Sequence, residues 1–349
     1  MKLATRELDR LAWEDGSLFR TSKGVPVELE MPLAPLADSH GHLTSFRGHD
    51  PAVALARATL AGVRLLVVPI DPSSDVGQGR GAVREDVPSL LGWLDDQVAI
   101  AADVALEARV SGVEAARVSD AGEDVRVRLI AGVHPYGAGA YLDDPAVDAR
   151  LRELLASRRC VGVGEIGLDY TCDVPRDVQE EAFARQLRLA HELDLPVELH
   201  IRDERDDPQT EAHRDAARVL AREGAPRRGC DLHCFTQGPD VMAPFVDMGC
   251  YVAFGGASTF KALDELREAA ARCPADRMLL ETDCPYMAPV PLRGQECEPA
   301  MASFTAANLA RVREEAGAGD RRITYEALWD NACRLFGIAF PLASRAPAR

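Results

Sequence analysis

Two histidines near the start of the chain offer the first chemistry. In the segment "ADSHGH", His40 and His42 are two residues apart. In an extended strand such residues point to the same side, so both imidazoles could reach one metal ion. Asp38 shares that face and could orient a ligand through a hydrogen bond. An isolated H-x-H pair is more often incidental, so this interpretation needs further ligands.

Four more side chains with metal-binding chemistry follow apolar segments. Glu165 stands between glycines in "GVGEIGLDY", and Asp283 follows two leucines in "LLETDCPY". His200 ends "PVELH", and His233 ends "DLH". Considered singly, each is more simply a loop carboxylate, a rim histidine or a turn-capping aspartate. Together, four histidines and two carboxylates suffice for two divalent cations with a bridging carboxylate, and the mixture suits transition metals better than magnesium alone.

Short apolar segments must position these residues, and helical patterns separate them. Several are apolar almost throughout, as in "VRLLVVPI", which indicates strands buried on both faces of a parallel sheet. The alternation predicts an α/β fold and favours a (β/α)8 TIM barrel, with a doubly wound open sheet as the alternative. A barrel would gather the six candidate ligands at one mouth. The eight predicted strands are Leu36–His42, Val63–Ile70, Val125–His134, Cys160–Leu168, Pro196–His200, Gly229–Cys234, Cys250–Phe254 and Arg277–Thr282.

One domain over residues 35–340 accounts for these elements. An N-terminal extension over 1–34 precedes it, and a C-terminal tail over 341–349 follows. An insertion over about 71–124 separates the second and third strands and contains twelve acidic and four basic residues, a net charge of −8. Within it, a helix-like stretch runs from Val87 to about Val118, with Trp93, Leu94 and Val98 on the face expected to pack on the barrel.

The composition excludes several classes of protein. Hydrophobic residues make up 47% and charged residues 28%, as in ordinary globular proteins. No apolar run approaches the ~20 residues of a membrane helix, and no secretory signal is recognisable, so we expect no membrane partner. The 9 cysteines include no C-x-x-C pair, which favours a reducing cytoplasm. The oligomeric state stays open, and a monomer is compatible with the sequence.

The net charge says little about the site itself. The chain has 40 basic and 56 acidic residues, a net charge of −16, so half of the net charge lies in the insertion. Such a chain is not a general nucleic-acid coat. Any polyanionic substrate would have to be bound locally, by metal ions or a few arginines.

Eight motifs in order carry a family resemblance. They are "DSHGH", "GVHP", "GEIGLDY", "LHIRD", "HCFTQG", "LLETDCPYMAP", "RG" with "EP", and "NACRLFG". From about Leu36 to Ile338 the chain resembles the TatD family of metal-dependent hydrolases, deoxyribonucleases within the amidohydrolase superfamily of barrels. The resemblance implies two metal sites: His40, His42 and Asp283 for one ion, His200 and His233 for the other, and Glu165 as the bridge.

The resemblance also implies the remaining functional groups. Asp283 and Glu165 would be the catalytic residues, and the substrate-binding positions would be His134, Arg202 and Arg293. Two divalent ions (Zn, Mn, Mg, Ni or Co) would lower the pKa of a shared water, and Asp283 would accept its proton. We therefore predict a phosphodiesterase or deoxyribonuclease that acts on nucleic-acid ends, nucleotides or small phosphoesters.

One loop departs from the family pattern. Where the family has approximately P-Y-R-G-K-R-N-E-P, this chain has "PLRGQECEP". Leu292 replaces an aromatic residue, Gln295 and Glu296 replace two basic residues, and Cys297 replaces an asparagine. With the acidic insertion, these changes favour an alternative, a metal-dependent hydrolase of a small ester, lactone or amide. A non-catalytic scaffold is the third hypothesis, but the cost of burying six unused ligands argues against it.

Strand alternation makes one further prediction at the site. Cys234 follows His233 directly. Because successive side chains in a strand point to opposite faces, we expect the Cys234 thiol to face away from the metals.

Overall fold

Eight strands follow one another around a single parallel sheet, in chain order. The structure, a computed structural model, describes residues 11–77, 82–113, 115–116 and 124–340. A short antiparallel hairpin, β1 (Phe19–Arg20) and β2 (Pro26–Val27), precedes the sheet. The sheet strands are β3 (Leu36–Asp38), β4 (Val63–Ile70), β5 (Arg126–Ala131), β6 (Cys160–Asp169), β7 (Val197–Arg202), β8 (Cys230–Leu232), β9 (Tyr251–Phe254) and β10 (Met278–Leu280).

The last strand of the sheet closes onto the first. The Ser39 amide donates to the Leu280 carbonyl at 2.9 Å, and the Asp283 amide donates to the His40 carbonyl at 2.9 Å. A parallel bridge joins Gly41 to Cys284. The sheet is therefore a closed (β/α)8 barrel, which confirms the predicted fold and rules out the open sheet.

Ten α-helices within the described residues accompany the strands. Aspartates begin several of them: the Asp50, Asp86 and Asp320 carboxylates accept backbone amides of the first turn. Gly337 follows the last helix with a φ of 64°, the left-handed conformation that is typical of a glycine after a helix C-terminus. The helices are α1 (Pro51–Leu60), α2 (Val87–Val110), α3 (Ala138–Asp143), α4 (Pro145–Leu155), α5 (Arg176–Leu193), α6 (Glu211–Glu223), α7 (Pro239–Asp247), α8 (Asp264–Arg272), α9 (Ala302–Glu315) and α10 (Arg321–Leu335).

The barrel is packed on both faces of its strands. All eight residues of β4 are buried, because alternate side chains pack under the helices and inside the barrel. A small apolar cluster includes Leu65, Val67, Ile130 and Leu279 from alternate strand positions. This packing leaves the carboxyl ends of the strands as the place where polar side chains gather.

The extension and the insertion both pack on the barrel. The Phe19 ring meets Phe304 edge-on, with centroids 5.6 Å apart. In the insertion, Leu94 is buried, and Trp93 and Val98 pack against the same core. Helix α2 ends at Val110, earlier than the predicted Val118, because Ser111 and a glycine with positive φ terminate it.

Some predictions fall on parts of the chain that the structure does not describe. These are residues 1–10 of the extension, 78–81, 114 and 117–123 of the insertion, and the predicted tail 341–349. The domain boundaries therefore stay predictions. Across the described ranges, no helix has both the length and the apolar character that crossing a bilayer requires.

Candidate metal centre

The strand ends bring all six predicted ligands together. Nε2 of His40 lies 3.0 Å from Nε2 of His42. Oδ1 of Asp283 lies 3.8 Å from Nε2 of His40 and 3.6 Å from Nε2 of His42. These three side chains, from the ends of β3 and β10, form a group that could hold one metal ion.

Glu165 lies between this group and the other two histidines. Its Oε1 is 2.6 Å from Nδ1 of His200 and 3.1 Å from Nε2 of His233. Its Oε2 is 3.9 Å from Nε2 of His40 and 3.9 Å from Nε2 of His42. The two carboxylate oxygens therefore face different histidines, as a bridging ligand requires.

The donor chemistry fits two divalent ions. Imidazole nitrogens and carboxylate oxygens are ligands of zinc, manganese and similar metals. A contact of 3.0 Å between Nε2 of His40 and Nε2 of His42 needs a proton or a cation between the two nitrogens. Glu165 also groups with His40 and His233, and again with His134 and His200, as a candidate ligand set.

Two glycines that flank Glu165 make room for this arrangement. Gly167 has a φ of 146°, and a Cβ atom there would lie 2.0 Å from the His200 carbonyl oxygen. A Cβ atom on Gly164 would lie 2.8 Å from Cβ of Glu198. Strands β6 and β7 can therefore carry Glu165 and His200 at contact distance only because both positions lack a side chain.

Asp38 positions a ligand in a way that the sequence does not reveal. Its carboxylate accepts the Thr282 amide at 2.9 Å and the Thr282 hydroxyl at 2.6 Å. It thus holds the loop that carries Asp283 rather than an imidazole ring. Asp283 itself has a φ of 53°, a left-handed conformation that costs a non-glycine residue about 1–3 kcal/mol.

The prediction that Cys234 faces away from the site is wrong. Its Sγ lies 3.4 Å from Oδ2 of Asp283, and it lines the cavity described below. The reason is the backbone: β8 ends at Leu232, and Cys234 has a φ of 48°. Strand alternation therefore does not apply to it.

Three carboxylates at the site escaped the sequence analysis. Oε1 of Glu198 lies 2.6 Å from Nδ1 of His40, Oε2 of Glu281 lies 3.5 Å from Nδ1 of His233, and Oδ2 of Asp169 lies 3.2 Å from Nε2 of His200. One signal was available: Glu198 is a charged residue within the apolar run "PVELH".

In the metal-free cluster, the interactions between the carboxylate and the imidazoles shift the pKa value of each group. Burial alone would raise the pKa of Glu165, but the His233, His200 and His134 imidazoles outweigh burial and hold this pKa well below its usual value. Burial would lower the pKa of His233, yet the Glu165 carboxylate raises it well above the usual value. Burial, and then the neighbouring His233, keep the pKa of His40 well below 6.5. A carboxylate among imidazoles thus provides a strongly polarised site.

A cavity of about 1010 Å³ opens over the cluster. Asp71, Ser73 and Asp75, at the start of the insertion, line one wall. Tyr136 and Tyr286 also line it. The cavity is therefore large enough for a nucleotide-sized ligand.

Two of the three predicted substrate-binding residues line this cavity. They are His134 and Arg202. Asp203, the residue after Arg202, pairs with His213 at 2.6 Å. Arg293 lies over the Phe260 ring, 4.2 Å from its centroid, and is not among the cavity residues of the described chain.

Hydrogen bonding restricts the role of His134. Its Nδ1 accepts the Tyr136 amide at 3.2 Å, so the neutral ring carries its proton on Nε2. That Nε2 lies 3.7 Å from Oε1 of Glu165. Burial, and then the nearby His200, lower the pKa of His134 to about 3. His134 therefore presents an N–H donor to the cavity rather than a lone pair for a metal.

The "PLRGQECEP" loop serves a structural purpose here. Leu292 and Cys297 are buried. Gln295 donates to the Arg20 carbonyl at 2.9 Å, and Glu296 accepts the amides of residues 47, 48 and 49 at 2.8 to 3.0 Å. None of these four substituted residues lines the cavity in the described chain. Two of the departures from the family pattern therefore tie this loop to other segments: Gln295 to the extension and Glu296 to the segment before α1.

Comparison with known proteins identifies the family. A family model for TatD-related DNases matches residues 37–337. The chain belongs to the TatD-related DNase family. This confirms the resemblance seen in the motifs, and with it a TatD-type metal-dependent hydrolase.

Individual proteins of the TatD family match this chain in sequence and in structure over much of its length. The uncharacterized metal-dependent hydrolase YabD of Bacillus subtilis is 39% identical over 191 residues, 54% of this chain and 70% of YabD. A 3'-5' ssDNA/RNA exonuclease TatD of Cronobacter sakazakii is 37% identical over 214 residues, 59% of this chain and 75% of that protein. The crystal structure of YJJV, a TatD homologue from Escherichia coli K12, superimposes with a TM-score of 0.64 at 27% identity, covering 88% of this chain and 100% of YJJV.

Proposed function

We propose that this TatD-family protein hydrolyses phosphodiester bonds at the ends of single-stranded nucleic acid or in nucleotides, with two divalent metal ions. The observation that carries the proposal is the position of Glu165 between two groups of histidines at the floor of an open cavity. The 3'-5' exonuclease activity in the name of the Cronobacter relative supports the same substrate class.

The proposed ligands divide into two sets around Glu165. His40, His42 and Asp283 would hold one ion, and His200 and His233 would hold the other, with Glu165 as the bridge. When bound, two such ions lower the pKa of a water molecule and polarise a phosphoryl oxygen. The identity of the metals among zinc, manganese, magnesium, nickel and cobalt is left to experiment.

The protein's own side chains carry the remaining steps. Asp283 is the proposed proton acceptor for the attacking water, since its carboxylate borders both the ligand histidines and the cavity. Nε2–H of His134 and the Arg202 guanidinium would donate to the non-bridging phosphate oxygens. Both groups donate hydrogen bonds without giving up a proton near neutral pH.

Two exposed aromatic rings favour a nucleic-acid substrate. Tyr136 is 58% exposed and lies against His134, with centroids 4.4 Å apart. Tyr286 is 52% exposed and contacts His42 edge-on, with centroids 6.0 Å apart. Exposed rings beside a phosphate-binding centre are platforms on which unpaired bases stack.

The charge of the cavity favours short substrates. Arg202 is the one arginine or lysine among the cavity residues of the described chain, and the acidic residues Asp71 and Asp75 line the same cavity. A long duplex therefore gains little from phosphate contacts. The same observation supports the alternative proposal, hydrolysis of a small ester, lactone or amide.

We also propose that the protein works in the cytoplasm. All nine cysteines are free thiols. Free thiols persist in a reducing compartment.

A chelator-controlled assay tests the proposed function. The purified protein is stripped, reloaded with each divalent metal, and incubated with 3'-labelled and 5'-labelled single-stranded DNA and RNA. Parallel reactions contain bis(p-nitrophenyl) phosphate and a panel of esters, lactones and amides. Metal-dependent release of nucleotides supports the proposal, whereas turnover confined to the ester panel supports the alternative. The Glu165→Ala variant controls for a contaminating nuclease.

A further inference from the structure

Strand β7 carries a charged side chain into the closed part of the barrel. Glu198 is 1% exposed, and its neighbours Val197 and Leu199 are buried as well. Burying a carboxylate is costly unless it receives strong hydrogen bonds. Its retention inside the barrel therefore needs a specific partner.

That partner is His40, one of the proposed metal ligands. Oε1 of Glu198 lies 2.6 Å from Nδ1 of His40, and both side chains are fully buried. A neutral imidazole that gives its Nε2 lone pair to a metal carries its one proton on Nδ1, and Oε1 of Glu198 is placed to accept that proton in a hydrogen bond. The lone pair is then on Nε2, the atom that lies 3.0 Å from Nε2 of His42 and 3.8 Å from Oδ1 of Asp283.

We propose that Glu198 is a positioning residue of the metal centre, which holds the ring and the tautomer of His40 so that Nε2 is presented to the metal. A carboxylate bonded to the distal nitrogen of a ligand histidine also makes that ligand more basic. The inference rests on the proposed metal-dependent function, because it concerns the same cluster.

The barrel is built to keep Glu198 in this place. Gly164 on β6 lies against it, and a Cβ atom at that position would approach Cβ of Glu198 to 2.8 Å. Glu198 reaches His40 across the interior, because β3 and β7 are not neighbours in the sheet. The contact therefore depends on barrel closure rather than on a local motif.

Asp231 supplies a matched control. It is the register partner of Glu198 on β8 and is also fully buried. Among the described residues, neither of its carboxylate oxygens has a hydrogen-bond partner. Asp231 thus shares the carboxyl group, the burial and the strand position of Glu198 but does not hold an imidazole.

The test measures metal affinity without substrate. Wild type, Glu198→Leu, Glu198→Gln and Asp231→Asn are titrated with Zn²⁺ in competition with a chromophoric chelator. We expect Glu198→Leu to weaken binding of one Zn²⁺ about 10–100-fold. Glu198→Gln should restore much of the affinity, because its amide oxygen still accepts the His40 Nδ1–H. Asp231→Asn should stay within about threefold of wild type, because it leaves this bond intact.

Two outcomes would overturn the assignment. Unchanged Zn²⁺ affinity in Glu198→Leu would show that the bond positions nothing. An equal loss in Asp231→Asn would show that general negative charge, rather than orientation of His40, is responsible. If Glu198→Leu does not fold, as judged by circular dichroism, the comparison of Glu198→Gln with Asp231→Asn decides: Glu198→Gln must be the weaker binder of the two. A wild type that binds two Zn²⁺ but cleaves no phosphodiester would refute the proposed function and leave this result standing.

Discussion

The two sides of the cavity are built by different means. On the metal side, side chains in the carboxyl-terminal half of β6 and β7, and just after β3, β8 and β10, contact one another directly, as Glu165 does with His200 and His233. Beside it, a loop outside the sheet is held mainly by hydrogen bonds to its own backbone: Asp71 accepts the Ser73 amide at 2.7 Å, and Asp75 accepts the Asp71 amide at 2.8 Å. One further bond, from the His134 amide to Asp71 at 3.2 Å, ties this loop to the segment after β5. The strand ends are held by the barrel ladder, whereas the loop lies outside that ladder.

This difference separates chemistry from substrate recognition. Changes on the metal side should affect the metal content and the catalytic rate. Changes on the loop side and at the tyrosines should affect substrate preference or stability while the metals stay bound. Each prediction below tests one side of this division.

The largest effect is expected from Glu165→Ala. Removing the carboxylate between the two histidine groups should lower phosphodiesterase kcat about 10³-fold or more, and should reduce bound metal below two equivalents. Rate assays and elemental analysis measure the two quantities. His191→Ala, an exposed change outside the cavity on α5, is the control. A variant with full metal content and near-normal kcat would refute the role of Glu165.

The second largest effect is expected in the pH dependence of metal affinity. Burial opposes protonation of His233, but Glu165 holds the pKa of His233 well above 6.5 in the metal-free protein. Since a metal must displace this proton, affinity should rise with pH, by about tenfold per unit for each proton displaced. Zn²⁺ competition titrations at pH 6, 7 and 8 measure the slope. A flat profile over this range would contradict the prediction.

A stability effect is expected on the loop side. Burial raises the pKa of Asp71 to about 7 from 3.8. The unfolded chain therefore ionises first, so the contribution of Asp71 to stability is fully present below pH ~4 and is lost as the pH rises to ~7. Relative to Asp71→Asn, wild type should lose roughly 3 kcal/mol between these pH values.

Urea unfolding of wild type and Asp71→Asn in excess chelator measures this difference. The chelator removes the contribution of metal binding, and the titration of other groups cancels between the two proteins. A difference that stays constant with pH would show that Asp71 ionises normally.

The smallest effect is expected at Tyr136. Tyr136→Ala should raise KM for single-stranded DNA about tenfold, because one stacking platform is lost. It should leave kcat/KM for a single-stranded oligonucleotide made of abasic sites unchanged, because that substrate has phosphodiester bonds but no base to stack. Tyr136→Phe keeps the ring and serves as the control. If Tyr136→Ala lowers kcat/KM equally for both substrates, Tyr136 contributes to the chemistry rather than to substrate recognition.

Much of the barrel could be predicted from the sequence because its signals are local. Each strand is a short apolar segment, and each predicted ligand lies in the carboxyl-terminal half of its strand, as His200 does, or a few residues after it, as His233 does. In a closed parallel barrel, this position alone brings such residues to one mouth. The six predicted ligands therefore meet in the structure without any long-range information from the sequence.

Other features were decided by tertiary structure. The bond between Glu198 and His40 joins strands on different sides of the barrel, so no local pattern indicates it. The left-handed backbone at Cys234 overrides strand alternation and turns its thiol toward Asp283. The "PLRGQECEP" loop looks like a substrate-binding segment in sequence, yet Glu296 binds the backbone before α1.

The sequence by itself thus determined the strands, the barrel and the set of candidate metal-binding side chains, since each depends on residue type and spacing along the chain. Only the tertiary structure decided which carboxylate contacts which histidine, which imidazole nitrogens face one another in the candidate metal centre and which residues form the cavity wall. Those depend on how strand register and barrel closure bring distant residues within hydrogen-bond distance.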